Sequence, residues 1–244
     1  MAVRVFLILV IWAVEHSSTA QNLVADLSSD EVAITTGFTG TELLLFGASG
    51  AKGDIVVTVL GPRRSEIVRR KQRVAGIWVN GAEVTFEKTP AYYQLASNKP
   101  LKEIAAMEVL KKYQIGVAQI KLETLSARPD FELRTFREAL IRNKKRLQLY
   151  SEQISDIILV RGSLFRSKIP FPANVPTGEY EVSVYLFNKG QLMEKNKTSL
   201  TVRKVGIEAR IYDFAHQKSA LYGILAIAVA LVAGWFAGVI FRRS

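Results

Sequence analysis

The stretch YEVSVYL, residues 180–186, has the alternating pattern that decides the class of fold. Every second side chain from Tyr180 to Leu186 is apolar or aromatic, whereas Glu181 and Ser183 lie between them. Successive side chains of a β-strand point to opposite faces of the sheet, so this period of two indicates a strand.

Turn residues bound this strand on both sides. Asn188-Lys189-Gly190 follows it and turns the chain toward another strand, and Ser199–Arg203 is predicted to be one of the last strands. The upstream segment IPFPANVPTGEY, residues 169–180, places prolines around a Gly-Glu-Tyr, as in edge loops of immunoglobulin-like sandwiches. The β pattern therefore extends from Ile154 to about Ile211.

The N-terminal half contains another β-like region, from Asp26 to about Leu95. Short apolar runs alternate there with turn residues, which is typical of strands joined by short connections. Gly47–Gly53 predicts a flexible turn between strands, and Asn80-Gly81 predicts a tight hairpin. The predicted strands are Glu31–Thr35, Glu42–Phe46, Asp54–Leu60, Gly76–Val79 and Glu83–Glu87.

Two helices are predicted between the β regions, at Leu101–Tyr113 and Asp130–Tyr150. Asp130 follows Pro129 and is the expected N-cap of the second helix. Its apolar side chains fall on one stripe, formed by Leu133, Phe136, Leu140, Ile141 and Leu147. We expect a mainly β chain with a helical insertion at about residues 100–150, arranged as an immunoglobulin-like β-sandwich. Two small β modules bridged by helices remain the alternative.

The first twenty residues have the features of a secretory signal peptide. A positive start at Arg4 precedes the apolar stretch Val5–Val14, and Ser18-Thr19-Ala20 places small residues before Gln21. Ten apolar residues are too few to span a bilayer comfortably, so we expect cleavage after residue 20. Retention of this segment as a second helix is the alternative.

The apolar run Ser219–Phe241 is the predicted transmembrane helix. It contains no charged residue over 23 positions, and a rise of about 1.5 Å per residue lets it span a hydrocarbon core about 30 Å thick. Arg242 and Arg243 follow at once, so the positive-inside rule places the tail 242–244 in the cytoplasm. The sequence thus predicts a single-pass inner-membrane protein with a periplasmic body at residues 21–210.

Residues 211–218 form the predicted collar at the membrane surface. Their aromatic and polar side chains, together with one ring from the first turn of the apolar run, suit the interface between water and lipid. The predicted interfacial residues are Tyr212, Phe214, His216 and Tyr222.

Charge and cysteine content narrow the classes of partner. The chain has no cysteine and a formal net charge of +11, much of it from Arg63–Arg73 and Arg134–Arg146. An exported chain without cysteine suits a bacterial envelope. Nucleic acid is not an expected partner there, whereas anionic lipid headgroups, acidic proteins and small anions are.

No catalytic motif is found, and we expect neither enzymatic activity nor a cofactor or metal. The Gly-rich segment GASGAKGD, residues 47–54, lacks the glycine spacing of a phosphate-binding loop, and Ala51 stands where a nucleophile elbow needs glycine. After cleavage of the signal His216 is the only histidine, so one chain cannot form a two-histidine metal site.

Two binding surfaces are predicted. The first is a basic face of the second helix, formed by Arg134, Arg137, Lys144 and Lys145, where guanidinium groups suit oxyanions and phosphates. The second is a ridge of small residues in the membrane helix, formed by Ala226, Ala230, Gly234 and Gly238, which permits close packing of another helix. The aromatic residues Trp78, Tyr92 and Tyr93 are expected in the core, and an exposed recognition patch is the alternative.

Several blocks resemble a family of alphaproteobacterial proteins described as putative transmembrane proteins. They span the whole mature chain: AITTGFTG at 33–40, GIWVN at 76–80, EALIRNK at 138–144, PANVPTGEY at 172–180, KVGIEARIYDFAH at 204–216 and AGWFAGVIFRR at 233–243. The resemblance implies an inner-membrane protein with a periplasmic domain. It implies no catalytic residues.

Together these features predict a non-enzymatic accessory or scaffold protein of the inner membrane. Its β domain and membrane helix would dock to an integral membrane protein, for which a transporter fits, or the helix would pair with a second copy. The alternative function is a periplasmic binding module that captures anionic ligands or lipid headgroups through its basic surface.

Overall fold

The computed structural model describes residues 23–160, 163–206 and 214–241 of the 244-residue chain. The predicted signal segment 1–20, Tyr212 of the collar and the tail 242–244 lie outside the described residues. The strands are β1 (Leu23–Leu27), β2 (Glu31–Ile34), β3 (Gly40–Ser49), β4 (Asp54–Leu60), β5 (Arg63–Val74), β6 (Ile77–Pro90), β7 (Tyr93–Ser97), β8 (Glu123–Thr124), β9 (Ser155–Asp156), β10 (Ile158–Val160), β11 (Leu164–Pro172), β12 (Gly178–Asn188) and β13 (Gln191–Lys204). The helices are α1 (Leu101–Ile104), α2 (Met107–Lys112), α3 (Asp130–Arg146) and α4 (Ser219–Phe241), with a 3₁₀ turn at Val117–Gln119.

The described strands form three sheets, which confirms the predicted mainly β class. The first sheet has the order β1-β3-β11-β10 and is antiparallel throughout. The second has the order β2-β13-β12-β4-β7-β9, in which only the edge strands β2 and β9 pair in parallel with their neighbours. The third consists of the long hairpin β5–β6 with β8 at its edge.

The first two sheets pack face to face through the alternate side chains of their strands. In β11, the inward residues Phe165, Ile169 and Phe171 are buried while the residues between them are exposed or half-buried, except Ser167 on the same inward side. An aromatic cluster joins the sheets. Phe171 stacks on Tyr92 with ring centroids 5.3 Å apart and meets the ring of Tyr180 at 5.8 Å.

The second sheet is buried on both faces at its centre. In β12, the Tyr180 face meets the first sheet, and the opposite face carries Tyr185, whose ring lies 6.2 Å from Tyr113 just after α2. The strand predicted from residues 180–186 is therefore present, but its alternation does not separate a buried face from a solvated one. β4 has the same environment, since its residues from Ile55 to Val59 are all buried.

The helical segment after β7 covers the second face. The Tyr93 hydroxyl accepts a hydrogen bond from the Gly116 amide at 2.8 Å and donates one to the Gln114 carbonyl at 3.1 Å. These bonds fix the loop after α2 against β7, because they satisfy polar groups in a site from which water is excluded. Farther along, α3 packs against β5 of the hairpin, with Phe136 and Leu140 buried.

Two predicted boundaries in the helical segment are wrong. The helix expected at Leu101–Tyr113 is interrupted, because Ala105 has extended backbone angles and separates α1 from α2. The helix expected at Asp130–Tyr150 ends at Arg146. Its N-cap is Pro129, and Asp130 is its first residue, where a carboxylate still favours the positive end of the helix dipole.

The predicted hairpin turn at Asn80-Gly81 is also wrong. Both residues lie inside β6, and the chain reverses at Ala75 and Gly76, between the paired residues Val74 and Ile77. Ala75 and Gly76 have φ angles of 50° and 85°, as the twist of a two-residue hairpin loop requires. The strands predicted at 76–79 and 83–87 are thus one continuous strand.

The glycine-rich segment 47–54 is only partly a turn. Gly47 lies within β3, and a Cβ at this position would come within 2.3 Å of the Val24 carbonyl oxygen and 2.4 Å of the Phe165 ring. Glycine is therefore required because strand β1 and the core ring approach the backbone closely.

Gly47→Ala should lower the free energy of unfolding by about 1–3 kcal/mol, because the added methyl group overpacks the core. Gly37→Ala is the matched control: a Cβ there meets nothing within 4 Å, and the φ angle lies outside the left-handed region. Its change should stay within about 0.5 kcal/mol. Denaturant unfolding of the full chain in detergent, followed by circular dichroism, measures both. Equal stability of the two variants would contradict the packing described for Gly47.

The stability of the body should also fall at alkaline pH. Burial raises the pKa of the phenols of Tyr92, Tyr93, Tyr150 and Tyr180 above the ordinary tyrosine value. These phenols stay protonated in the folded chain at pH values where they ionise in the unfolded chain. Their contribution to the free energy of unfolding is therefore complete below about pH 10 and is lost as the pH rises above it.

Unfolding midpoints measured between about pH 8 and pH 11 test this expectation. Tyr150→Phe should make the alkaline decline less steep, since one buried phenol no longer ionises on unfolding. If the unfolding midpoint of this variant falls with pH as steeply as that of the unchanged chain, the role given to the buried phenols is contradicted.

Candidate functional site

α4 is long and apolar enough to cross a membrane. Residues Ser219–Gly238 have a mean hydropathy of 2.2. The four small residues predicted as a ridge recur along this helix at every fourth position: Ala226, Ala230, Gly234 and Gly238. Gly234 and Gly238 carry no side chain, so a neighbouring helix can approach the backbone closely at these two positions of the ridge.

The described part of the collar forms a helical turn at residues 214–217, just before α4. The Lys218 and Tyr222 amides donate to the carbonyls of Phe214 and Lys218, each at 2.9 Å. The rings of Phe214 and Tyr222 pack edge to face, with centroids 6.2 Å apart, and His216 is exposed to solvent. The structure thus brings Phe214 and Tyr222 together at the start of the apolar helix.

The four basic residues predicted on α3 do not form one surface. Arg134 and Arg137 are exposed, Lys145 is half-buried, and Lys144 is only 7% exposed. One guanidinium nitrogen of Arg137 donates a long hydrogen bond to the Leu122 carbonyl at 3.4 Å.

Lys144 is buried because it lies on the side of α3 that faces the hairpin. It stands four residues after Leu140 and eight after Phe136, and residues at this spacing share one side of a helix. Its ammonium group forms a salt bridge with the Glu66 carboxylate of β5, with a distance of 2.5 Å between Nζ and Oε1. Lys144 is therefore not available to an external anion.

Two guanidinium groups also contact the buried Phe136 ring. The Arg70 guanidinium lies 5.1 Å and that of Arg128 lies 6.0 Å from the ring centroid. Such contacts place cations over the electron-rich ring faces. The Arg70 contact and the Lys144–Glu66 pair attach α3 to the hairpin, whereas Arg128 lies just before α3 and its contact is local.

The end of the hairpin carries a further functional candidate. The core position preferred for Trp78 is wrong, because this side chain is 66% exposed, close to the turn at Ala75 and Gly76. β5 and β6 extend beyond α3, so none of the described elements covers them near the turn. By contrast, Tyr92 and Tyr93 are fully buried, as expected.

The outer face of the first sheet is a further exposed apolar surface. Its large side chains are exposed, and they include Val24, Leu44, Phe46, Ile158 and Leu164. Beside them, a cavity of about 560 Å³ is lined by residues that include Ile158, Arg166 and Lys168. The Lys168 ammonium group there bonds to Glu42 at 3.1 Å.

Among the described residues, no group of three or more His, Cys, Asp or Glu side chains is placed to hold a metal ion. The Glu181 carboxylate has several partners among the described residues. Its burial acts to raise its pKa, but hydrogen bonds from Lys197 and Ser183 and the charges of Lys195 and Lys197 outweigh burial and lower it. This group is a paired surface carboxylate.

Comparison with known proteins gives one family. A family model described as "Putative transmembrane protein (Alph_Pro_TM)" matches residues 22–243. No curated protein matches the sequence. Among solved structures, one that matches is described as "Structural basis of T cell specificity and activation by the bacterial superantigen toxic shock syndrome toxin-1". It has 8% identity and a TM-score of 0.26 and covers 75% of this chain and 99% of that chain, a likeness too low to carry an argument.

The buried ion pair between α3 and β5 gives a prediction for the base of the hairpin. Glu66→Ala should lower the free energy of unfolding by about 1–3 kcal/mol, because it leaves the Lys144 charge buried without a partner. The value lies below that of a fully enclosed pair because the Glu66 side chain is 28% exposed.

Replacing both members, Glu66→Leu with Lys144→Met, should recover most of this loss, since apolar side chains of similar volume often replace a buried pair without cost. Urea unfolding of Glu66→Leu, Lys144→Met and the double variant completes the cycle. A loss in the double variant equal to the sum of the two single losses would contradict an energetic coupling between Glu66 and Lys144.

Proposed function

This chain belongs to the putative transmembrane protein family Alph_Pro_TM, and we propose that it is a non-enzymatic accessory or scaffold protein of the inner membrane. In this proposal, α4 anchors the chain and docks to an integral membrane protein, and the β body is held beside that partner. A transporter is the class of partner that fits best, because its own membrane helices offer surfaces for α4.

The proposed orientation has the body in the periplasm and the C-terminus in the cytoplasm. Its support is the signal-like start of the sequence and the pair Arg242 and Arg243 directly after the apolar helix. The interfacial pair Phe214 and Tyr222 would then lie at the periplasmic surface of the bilayer.

We further propose that the body is an immunoglobulin-like domain. The order β1-β3-β11-β10 corresponds to strands A, B, E and D of that fold, and β13-β12-β4-β7 corresponds to G, F, C and C′. A second feature supports this assignment: the Tyr180 hydroxyl, near the start of β12, donates a hydrogen bond back to the Pro176 carbonyl. This bond has the geometry of the tyrosine corner, which occurs at the start of strand F.

The open ridge of α4 is the observation that carries the docking proposal. Lipid tails are as apolar as the helix, so helices associate in a bilayer through close van der Waals contact, which small residues permit. An anchor with no helical partner would have no need for a continuous ridge of small residues at Ala226, Ala230, Gly234 and Gly238. The exposed apolar face of the first sheet would provide the body with a further contact surface.

Replacing Gly234 and Gly238 by isoleucine tests the docking proposal. The bulkier side chains should prevent close helix contact and reduce association about tenfold or more, which corresponds to a loss of about 1.4 kcal/mol. Crosslinking in native membranes, followed by purification of the full chain and mass spectrometry, identifies and quantifies the partner.

The matched control is Ala228→Ile with Val232→Ile, which adds bulk on the side of α4 away from the ridge. Partner recovery should be unchanged in this variant. Recovery that survives in the Gly234→Ile, Gly238→Ile variant would refute docking through the ridge, and a crosslink only between copies of the chain would replace the accessory role with self-association.

A further inference from the structure

The outer half of the β5–β6 hairpin projects from the body. No residue between Arg69 and Asn80 is buried, whereas Val68 and Val84 at the inner end of this segment are. Six residues lead from Arg69 to the turn, and at about 3.3 Å per residue the two strands extend roughly 20 Å beyond the last buried pair.

The tip of this projection is apolar. Val74, Ile77 and Trp78 surround the turn, and they are 52%, 68% and 66% exposed. Val74 is paired with Ile77 across the hairpin, so these two share one face, and Trp78 lies on the other face beside its partner Arg73. Single exposed apolar residues are common on protein surfaces. A group of large ones at a protruding turn is not, and it indicates a contact surface.

One flank of the tip, on β5, is basic. Residues 69–80 contain four basic side chains, all on β5, and no acidic one. Arg69 is paired with Glu83 of the neighbouring strand at 2.8 Å, and Arg70 lies over the Phe136 ring of α3. Lys71 and Arg73 lie closer to the turn, on the face that carries Trp78, and both are exposed, with the Arg73 Nε donating to the Gly76 carbonyl at 3.1 Å.

We propose that this tip is a membrane wedge that docks onto an anionic bilayer surface. Val74, Ile77 and Trp78 enter the interface between headgroups and acyl chains, and Lys71 and Arg73 contact the lipid phosphates. Indole rings prefer this interface, and each basic residue near an anionic surface contributes about 1 kcal/mol. An apolar insertion combined with basic charge provides the two signals that stable attachment to a membrane surface requires.

A lipid surface fits this tip better than a protein groove for two reasons. The positive charge of Lys71 and Arg73 beside the turn is complementary to anionic headgroups, and α4 keeps the body close to a bilayer. Docking of the tip is then an intramolecular event with a high effective concentration, so a small wedge is sufficient. The inference rests on α4 being a membrane anchor, and it is independent of any protein partner of the ridge.

Attachment at two points would fix how the body stands on the bilayer. α4 alone attaches the chain to the membrane at one place. A hairpin seated in the headgroups adds a second, and the contacts of α3 with the hairpin connect it to the body through Glu66, Lys144 and Phe136.

The absence of cysteine makes a labelling experiment direct. The full chain with Ile77→Cys carries a nitroxide label and is reconstituted into phosphatidylcholine vesicles with or without phosphatidylglycerol. Paramagnetic resonance measures how often the label collides with oxygen, which concentrates in lipid, and with a water-soluble nickel chelate. With phosphatidylglycerol, we expect more collisions with oxygen and fewer with nickel. Met193→Cys on β13, also an exposed apolar position, should stay accessible to nickel in both vesicles.

Charge variants test the role of the flanks. Lys71→Gln with Arg73→Gln should lower the ratio of docked to undocked hairpin roughly 30-fold, from two contributions of about 1 kcal/mol and tenfold per 1.4 kcal/mol. Lys102→Gln with Lys111→Gln makes the same change in net charge on exposed residues of α1 and α2 and should have no effect. Arg73→Lys keeps the charge and should preserve docking.

A label at residue 77 that stays equally accessible to nickel in both vesicles would overturn the proposal. Shielding that is independent of phosphatidylglycerol and survives the Gln variants would overturn it as well, because headgroup charge would have no role. If the label is shielded from nickel in native membranes and not in vesicles, the tip binds a protein and the proposed lipid contact is overturned. None of these results depends on the Gly234 and Gly238 ridge, so failure here and failure of partner docking are distinguishable.

Discussion

The strands β4 and β12 are buried on both faces, and the positions of the first sheet and of the segment after β7 follow from the need to cover them. The first sheet covers one face through the cluster of Tyr92, Phe171 and Tyr180. The segment from α1 to the 3₁₀ turn covers the other, where Tyr93 binds backbone groups of the loop after α2. Burial of this much apolar surface on a central sheet provides the main driving force for folding.

This constraint also separates the structural parts of the chain from those that are free for interaction. Residues that cover the central sheet are fixed in identity by packing, as Gly47 illustrates. The outer half of the β5–β6 hairpin covers no part of the central sheet, and the apolar side chains at its tip have no structural reason that the described residues reveal. The same holds for the ridge of α4. The two surfaces proposed for interaction are thus those that the packing of the body does not require.

The sequence predicts those elements that depend only on neighbouring residues, such as a single strand or the spacing along one helix. The strand at Asp54–Leu60 is found with its predicted bounds, because an apolar run interrupted only by Thr58 lies between turn residues. The ridge of α4 is a matter of spacing in a single helix. The hairpin turn was misplaced because Asn80-Gly81 is the stronger turn signal by composition, whereas strand pairing selects Ala75 and Gly76. The exposure of Trp78 could not be predicted, since it depends on where α3 stops covering the hairpin. The spacing of Lys144 to Phe136 and Leu140 indicates the buried side of α3. Because a charged side chain is usually exposed, this residue was nevertheless assigned to the basic face.

The pairing of β13 has a mechanical consequence for a body attached to a membrane. β13 is the described strand closest in sequence to α4, and it is held by the antiparallel ladder with β12 on one side and by the parallel strand β2 on the other. A pull along the axis of β13 would load the hydrogen bonds of both ladders together, in shear, so that many must break at once. A pull across the strand would open them one after another. The strand next to the anchor is therefore built to resist tension along its length, whatever holds the body at its other end.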